Sequence, residues 1–276
     1  MNPIQLQQQL EQFLLEDIGT RDITATSIFP VDAIGEGVFQ AKATGIIAGL
    51  AIIRATYQSL DPNIRVVLYK KDGEHVTPGE TIAKVTGSIQ VILTGERVIL
   101  NLLQRMSGIA TMTNHAIQLL QNDKTKICDT RKTTPGLRMF EKYAVTCGGG
   151  YNHRFGLYDG VMIKDNHIAF YGSLEEAVHQ VRRKLGPMVK IEVETESEHE
   201  VVTAVNAQCD IIMFDNQKPE TIAEWIKVVP PTIITEASGN ITLETIAAYR
   251  YCGVDFISLG CLTHSVQALD ISLGGV

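Results

Sequence analysis

From about residue 125 onward, short apolar runs alternate with amphipathic segments, and no other feature limits the fold of this chain so strongly. The runs are Lys126–Thr130, Gly160–Lys164, Val189–Glu194, Ile211–Phe214, Ile233–Ala237 and Phe256–Leu259. Between them Ser173–Leu185, Ser197–Ala207, Pro219–Val228 and Leu243–Cys252 carry apolar residues at helical spacing. From the third run on, the unit recurs at roughly 20 residues, the rhythm of β-strand and returning helix. Parallel strands need such a crossover, so the pattern predicts an α/β parallel sheet, either open or closed into a barrel.

The first hundred residues have a mixed texture. Ile4 to Leu15 reads as a helix through Ile4, Leu6, Leu10, Phe13 and Leu14. Gly35–Gly49 and Ile64–Lys71 read as short strands, with turns at Asp72-Gly73 and Pro78-Gly79. A long apolar helix is expected over about Ile89 to Leu120, broken near Ser107-Gly108. With 276 residues, 45% of them hydrophobic and 20% charged, the chain can bury one large or two ordinary cores.

The formal net charge of -7 argues against a nucleic-acid partner, which usually shows as a basic footprint. The five cysteines form no C-x-x-C pair, so a disulfide framework or zinc site is not expected and a reducing cytoplasm fits. The N-terminus shows no signal-peptide pattern, and no apolar run reaches the roughly 20 residues needed to span a bilayer.

Against this acidic background, Arg131, Lys132, Arg138, His153, Arg154 and Lys164 crowd between Asp129 and His167. Lys164 follows Val161-Met162-Ile163 directly, so its base should be buried and should need an anionic partner. Such a cluster beside apolar strands and glycine loops suggests a pocket for a small anion, since the guanidinium fork matches carboxylate and phosphate. The predicted strands end in Arg131, Lys164, Glu194, Asp215, Ser238 and Gly260. In βα barrels the chemistry sits at those ends. Glu192 and Glu194 share one strand face by their spacing of two. Carboxylates such as Glu194 and Asp215 at strand ends can hold Mg²⁺, bind sugar hydroxyls or steady a developing positive charge. An ordinary salt bridge competes most strongly for Glu192. Ser238-Gly239-Asn240, ahead of a helix expected near Thr242, and Ser258-Leu259-Gly260 are candidate phosphate loops. G-x-G-x-x-G after the first strand, the P-loop pattern and G-x-S-x-G are all absent, which removes support for those nucleotide sites and for a hydrolase elbow.

Taken in order, these residues resemble the quinolinate phosphoribosyltransferase family. The likeness runs from Glu16-Asp17-Ile18-Gly19-Thr20-Arg21-Asp22 through Gly95-Glu96-Arg97, Thr130-Arg131-Lys132-Thr133-Thr134-Pro135-Gly136, Asn152-His153-Arg154 and Lys164-Asp165-Asn166-His167. It continues through Glu192-Val193-Glu194, Phe214-Asp215-Asn216, Ala237-Ser238-Gly239-Asn240 and Ser258-Leu259-Gly260. The resemblance implies an N-terminal α/β sandwich over residues 1–108, completed by about 266–276, and an incomplete, open α/β barrel over 109–265. It implies transfer of phosphoribosyl from phosphoribosyl pyrophosphate (PRPP) to quinolinate with loss of CO₂, a Mg²⁺ requirement, and a homodimer with shared sites. Carried over residue by residue, Arg131, His153, Arg154 and Lys164 would hold the dicarboxylate, with Arg97 entering from a partner subunit. Lys132 would meet pyrophosphate, Glu194 and Asp215 the ribose and Mg²⁺, and Ser238, Gly239, Asn240 and Gly260 the 5′-phosphate. Two other readings stay open at this point: a relative of the same fold with another substrate, as in molybdenum-transport operons, and a non-enzymatic anion binder.

Overall fold

The structure is a computed structural model that describes residues 1–275. The chain divides into two compact units: residues 1–114 with 135–149 and the chain from Ser265 on, and residues 115–134 with 150–264.

The first unit contains helices α1 (Pro3–Ile18), α2 (Ile23–Ile28), α3 (Leu50–Leu60), most of α4 (Ile89–Leu120) and α5 (Arg138–Cys147). Its strands are β1 (Ile34–Ala41), β2 (Gly45–Ile46), β3 (Arg65–Leu68), β4 (His75–Val76), β5 (Thr81–Ser88) and the final strand Ile271–Gly275. Asn2 caps α1 by accepting the Ile4 and Gln5 amides, and Pro3 pre-sets the first helical position. Leu6, Leu10 and Leu14 then line its buried stripe. The antiparallel sheet runs in the order final strand, β1, β5, β3. Its core gathers Phe39, Tyr57, Ile82, Ile99 and Leu103. Tyr57 resolves its own polarity by donating its hydroxyl to the Ile92 carbonyl at 3.0 Å.

One expectation needs correction here. Helix α4 runs unbroken through Ser107-Gly108. Gly108 is there for space: a Cβ would lie 2.0 Å from the Gln267 carbonyl oxygen, so only glycine lets that backbone pass. Ser107 satisfies its hydroxyl by accepting the Ala48 amide at 3.0 Å. Pro135–Gly149 packs with the first unit. Phe140 packs against Phe13 with ring centroids 6.0 Å apart, and the fully buried Glu141 pairs with Arg105 at 2.6 Å. Helix α5 itself had not been expected; its buried stripe of Phe140, Ala144 and Val145 is interrupted in sequence by Arg138, Glu141 and Lys142.

The second unit is a six-stranded, wholly parallel sheet. Its strands are β6 (Lys126–Cys128), β7 (Val161–Ile163), β8 (Ile191–Thr195), β9 (Ile211–Asp215), β10 (Ile234–Ser238) and β11 (Phe256–Ser258), each within the expected runs or one residue beyond. The order is β6-β11-β10-β9-β8-β7, with β6 and β7 at the edges, so the barrel is open between them. Helices α6 (Asp165–Tyr171), α7 (Leu174–Lys184), α8 (Glu198–Asn206), α9 (Pro219–Trp225) and the short α10 (Cys261–His264) fill the connections. Ser173 caps α7, whose first turn carries Glu175 and Glu176 and whose last carries Arg182, Arg183 and Lys184, matching the helix dipole. Ser197 and Glu200 form a capping box on α8. The helix expected over Leu243–Cys252 is a turn followed by a 3-10 helix, Ile246–Tyr251. Thr245 Oγ accepts the Thr242 amide at 2.9 Å, an N-terminal cap on this short segment. Among the described residues no helix is long and apolar enough to cross a membrane. All five cysteines are free.

Candidate active site

At the C-terminal ends of the parallel strands lies a cavity of ≈ 460 Å³. Strand alternation selects its lining. Met162 and Lys164 come from the end of β7, Glu194 from β8, Met213 and Asp215 from β9, Glu236 and Ser238 from β10, and Ser258 from β11. Thr130, Arg131 and Lys132 follow β6, and Gly239 and Asn240 follow β10. His153 and Arg154 enter from a segment beside β6. Tyr151 bridges to Cys128 in parallel there, which fills part of the gap between β6 and β7.

The cations gather on the β6–β7 side. Arg154 donates from Nη1 to the Gly160 carbonyl at 2.9 Å, while its buried Nε finds no partner. Burial pushes the Arg154 guanidinium below its ordinary value, and the charge of Arg131 adds to the fall. Lys164 has an anionic partner, with Nζ 2.5 Å from Glu194 Oε2, although its side chain is 42% exposed and not buried as its position after β7 suggested. Burial pushes the Glu194 carboxyl up, and the Lys164 hydrogen bond pulls it back. The backbone amide of Lys164 donates to His167 Nδ1 at 3.0 Å, which makes His167 a cap for α6.

The acids and the glycine loop occupy the β8–β10 side. Asp215 accepts from Asn216 Nδ2 at 2.6 Å. Asn216 in turn donates its amide to the Ser238 carbonyl at 2.9 Å and accepts from Asn240 Nδ2 at 2.9 Å. Gly239 sits against this knot with φ +93; a Cβ would lie 2.4 Å from Asn216 Oδ1 and 2.5 Å from its amide nitrogen. Glycine is required both for the conformation and for the contact. With no α-helix after this loop, an anion there meets backbone N–H groups rather than a helix terminus. Gly260 makes room for its neighbours, with a Cβ position 3.2 Å from Lys132 Cδ and 3.1 Å from the His264 ring. The carbonyl of Lys132 accepts the Thr263 hydroxyl at 2.8 Å, which ties the two loops together.

Behind this cavity the barrel interior holds a second polar cluster. His153 Nε2 lies 3.0 Å from Glu192 Oε2 and 3.6 Å from Glu236 Oε2. The second ring nitrogen, Nδ1, accepts the Arg154 amide at 2.8 Å. Nδ1 is therefore the bare nitrogen and Nε2 carries the hydrogen, directed at Glu192. One imidazole and two carboxylates within 4.8 Å form a possible metal donor set. An Nε2–H donor is not a metal ligand, however, and a metal-bound ring normally donates from its other nitrogen. Burial pushes the Glu236 carboxyl well up, and the charge of Glu192 pushes it further. A buried carboxyl held neutral there is the expected outcome. Glu192, expected to meet a Lys or Arg if it made a salt bridge, meets His153 instead; it is Glu194 that meets a lysine. Glu236 was missed in sequence, although its spacing of two from Ser238 placed it on the inward face. Asp129 was also given no role. Arg97 lies on α4 in the first unit, 61% exposed and 3.8 Å from Glu96, and is not among the residues lining the cavity.

Comparison with known proteins decides the family. Residues 22–107 match the model of the quinolinate phosphoribosyl transferase N-terminal domain, and residues 109–274 match that of its C-terminal domain. The chain belongs to the quinolinate phosphoribosyltransferase family. It is 55% identical over 273 residues to a Bacillus subtilis protein described as a probable nicotinate-nucleotide pyrophosphorylase (carboxylating), covering 99% of this chain and 94% of that one. An Arabidopsis thaliana chloroplastic nicotinate-nucleotide pyrophosphorylase (carboxylating) is 41% identical, over 94% of this chain and 80% of its own length. The crystal structure of NadC from Streptococcus pyogenes superposes with a TM-score of 0.96 at 40% identity, covering 100% of this chain and 98% of that one. The sandwich and open barrel are thus the fold of this family.

Proposed function

We propose that this chain transfers phosphoribosyl from PRPP to quinolinate and releases CO₂ and pyrophosphate to give nicotinate mononucleotide, a step of NAD biosynthesis. One observation carries the reading: a single cavity has cations on one side and carboxylates with a glycine loop on the other. Quinolinate bears two adjacent carboxylates and needs several cations; PRPP needs phosphate loops and groups that tolerate a positive sugar carbon.

Arg131, Arg154 and Lys164 would bind the dicarboxylate, with His153 forming the wall beside them. Lys132 would face the pyrophosphate leaving group, and Ser238, Gly239, Asn240 and Gly260 the 5′-phosphate. Glu194 and Asp215 would bind the ribose and favour the cationic character that develops at its anomeric carbon. These two carboxylates also suit Mg²⁺, a hard cation that prefers oxygen ligands and often binds through one or two carboxylates and substrate phosphates. When bound it would offset the charge of the pyrophosphate. Once ribosylated, the pyridinium nitrogen can take up the electron pair left by CO₂. Arg97, exposed on α4, would complete the site of a partner subunit in a homodimer, and a cytoplasmic setting suits the free cysteines.

The test is direct. Incubation with quinolinate, PRPP and Mg²⁺ should release CO₂ and form nicotinate mononucleotide. Nicotinate in place of quinolinate should react poorly, because half of the cation set would lack a partner. Equal turnover of both pyridines, or none with quinolinate, would reject the reading.

A further inference from the structure

We propose that Asp129 is a positioning residue for the dicarboxylate subsite: it locks Asn152–Arg154 into the gap between β6 and β7, so that His153 and Arg154 face the cavity. This rests on the functional reading above for its substrate and on the geometry for its mechanism.

The gap makes a lock necessary. β6 and β7 close the two ends of the sheet order and do not pair with each other. The chain after Gly148-Gly149-Gly150 enters that space as a fragment of a strand. Tyr151 donates its amide to the Ile127 carbonyl at 2.8 Å, and Asp129 donates its own to the Tyr151 carbonyl at 3.1 Å. There the ladder ends. The side chain of Asp129 takes over, with Oδ2 accepting from Asn152 Nδ2 at 2.6 Å and Oδ1 accepting the His153 amide at 2.8 Å. The next residue, Arg154, reaches across to the Gly160 carbonyl just before β7. One carboxylate thus replaces the main-chain pairs that a complete strand would make.

Asp129 is fully buried. A buried carboxylate is costly unless hydrogen-bonded, and charge-assisted bonds are about twice as strong as neutral ones. The two acceptor oxygens fix two consecutive residues immediately before the guanidinium that faces the cavity. Lys132, Glu194 and Asp215 are held by other contacts, so loss of the lock should disturb one side of the cavity more than the other.

The experiment compares Asp129→Ala, Asp129→Asn and Asn152→Ala in the full chain. It reads KM for each substrate and hydrogen exchange of the peptide spanning residues 150–155. Asp129→Ala should raise KM for quinolinate about tenfold or more and leave KM for PRPP within about twofold. Asn can still accept the His153 amide, and the Asn152 amide can turn to offer its oxygen. Asp129→Asn should therefore stay within about threefold of wild type, a rescue that charge alone cannot give. The His153 amide should lose protection in Asp129→Ala and keep it in Asp129→Asn. An equal rise in both KM values, or unchanged exchange in Asp129→Ala, overturns the proposal. Should Asp129→Ala fail to fold, Asn152→Ala removes one of the two bonds. It should then raise KM for quinolinate alone, and an unchanged value with unchanged exchange overturns the proposal. If the wild type does not turn over quinolinate, the functional reading fails by itself, and the exchange data still decide whether Asp129 holds the segment.

Discussion

Gly239→Ala puts the glycine loop to a quantitative test. At φ +93 a residue with a side chain is strained, by roughly 1–2 kcal/mol. The new methyl would lie 2.4–2.6 Å from three atoms of Asn216, side chain and backbone, where ordinary contact begins at 3.4 Å. Asn216 must therefore move, and its bonds to Ser238, Asn240 and Asp215 move with it. Loss of one or two of these adds roughly 0.5–1.5 kcal/mol each. The sum, roughly 1.5–5 kcal/mol, falls where PRPP is proposed to bind. Expressed wholly in the transition state it lowers kcat/KM for PRPP by roughly tenfold to several thousand-fold. The assay is initial rate against PRPP at saturating quinolinate, with thermal unfolding run in parallel. Part of the strain should appear as a lower Tm; KM for quinolinate should change least. A variant within about threefold of wild type for PRPP would refute the reasoning, since neither strain nor displacement would then reach the site.

Three further outcomes follow from the same geometry. Arg154→Ala should leave the fold intact and lower quinolinate turnover by about 10²–10³-fold or more, corresponding to the roughly 3–5 kcal/mol lost when one partner of a buried charge pair is removed; near-normal turnover would reject its role. If Arg97 completes a partner's site, mixing inactive Arg97→Ala and Lys164→Ala chains should restore some activity, and verified heterodimers without activity would count against a shared site. The raised Glu236 carboxyl sets a stability trend: a folded-state value above the unfolded one means stability present at acid pH that is lost as the pH rises from about 4.5 through the folded value. Glu236→Gln should lack that loss, so its Tm relative to wild type should climb between pH 5 and pH 9, and parallel Tm curves would contradict a neutral Glu236 (window from the linkage relation, roughly).

What the sequence disclosed follows from how each feature is encoded. The six parallel strands were legible because each is a local apolar run, and the inward acids Glu192 and Glu194 because alternation is a local rule. Gly108 misled because a glycine within a helix looks the same in sequence whether it breaks the helix or admits a neighbour. What decides is the Gln267 backbone, which is distant in sequence. The segment expected as a helix over Leu243–Cys252 is a turn and a 3-10 helix, for which the residue pattern gives no signal distinct from that of an α-helix.

The site shows the same division between residue type and atom. A cluster of Arg, Lys and His reads in sequence as one set of cations. In the structure, Arg154 keeps a buried Nε without a partner, and Lys164 is held by Glu194. His153 has both ring nitrogens engaged, one by the Arg154 amide and one by Glu192. A substrate carboxylate can approach Arg154 without displacing a carboxylate from it, and it can compete with Glu194 for Lys164. To reach His153 Nε2 it would have to displace Glu192 from the barrel core. On the proposed function, affinity for the dicarboxylate should therefore come mainly from the guanidiniums and the lysine, with His153 holding the wall on which Arg154 stands. Which of these roles a cation takes depends on the carboxylates of β8, Glu192 and Glu194, and on the Gly160 carbonyl, and no spacing within Asp129–His167 encodes those contacts.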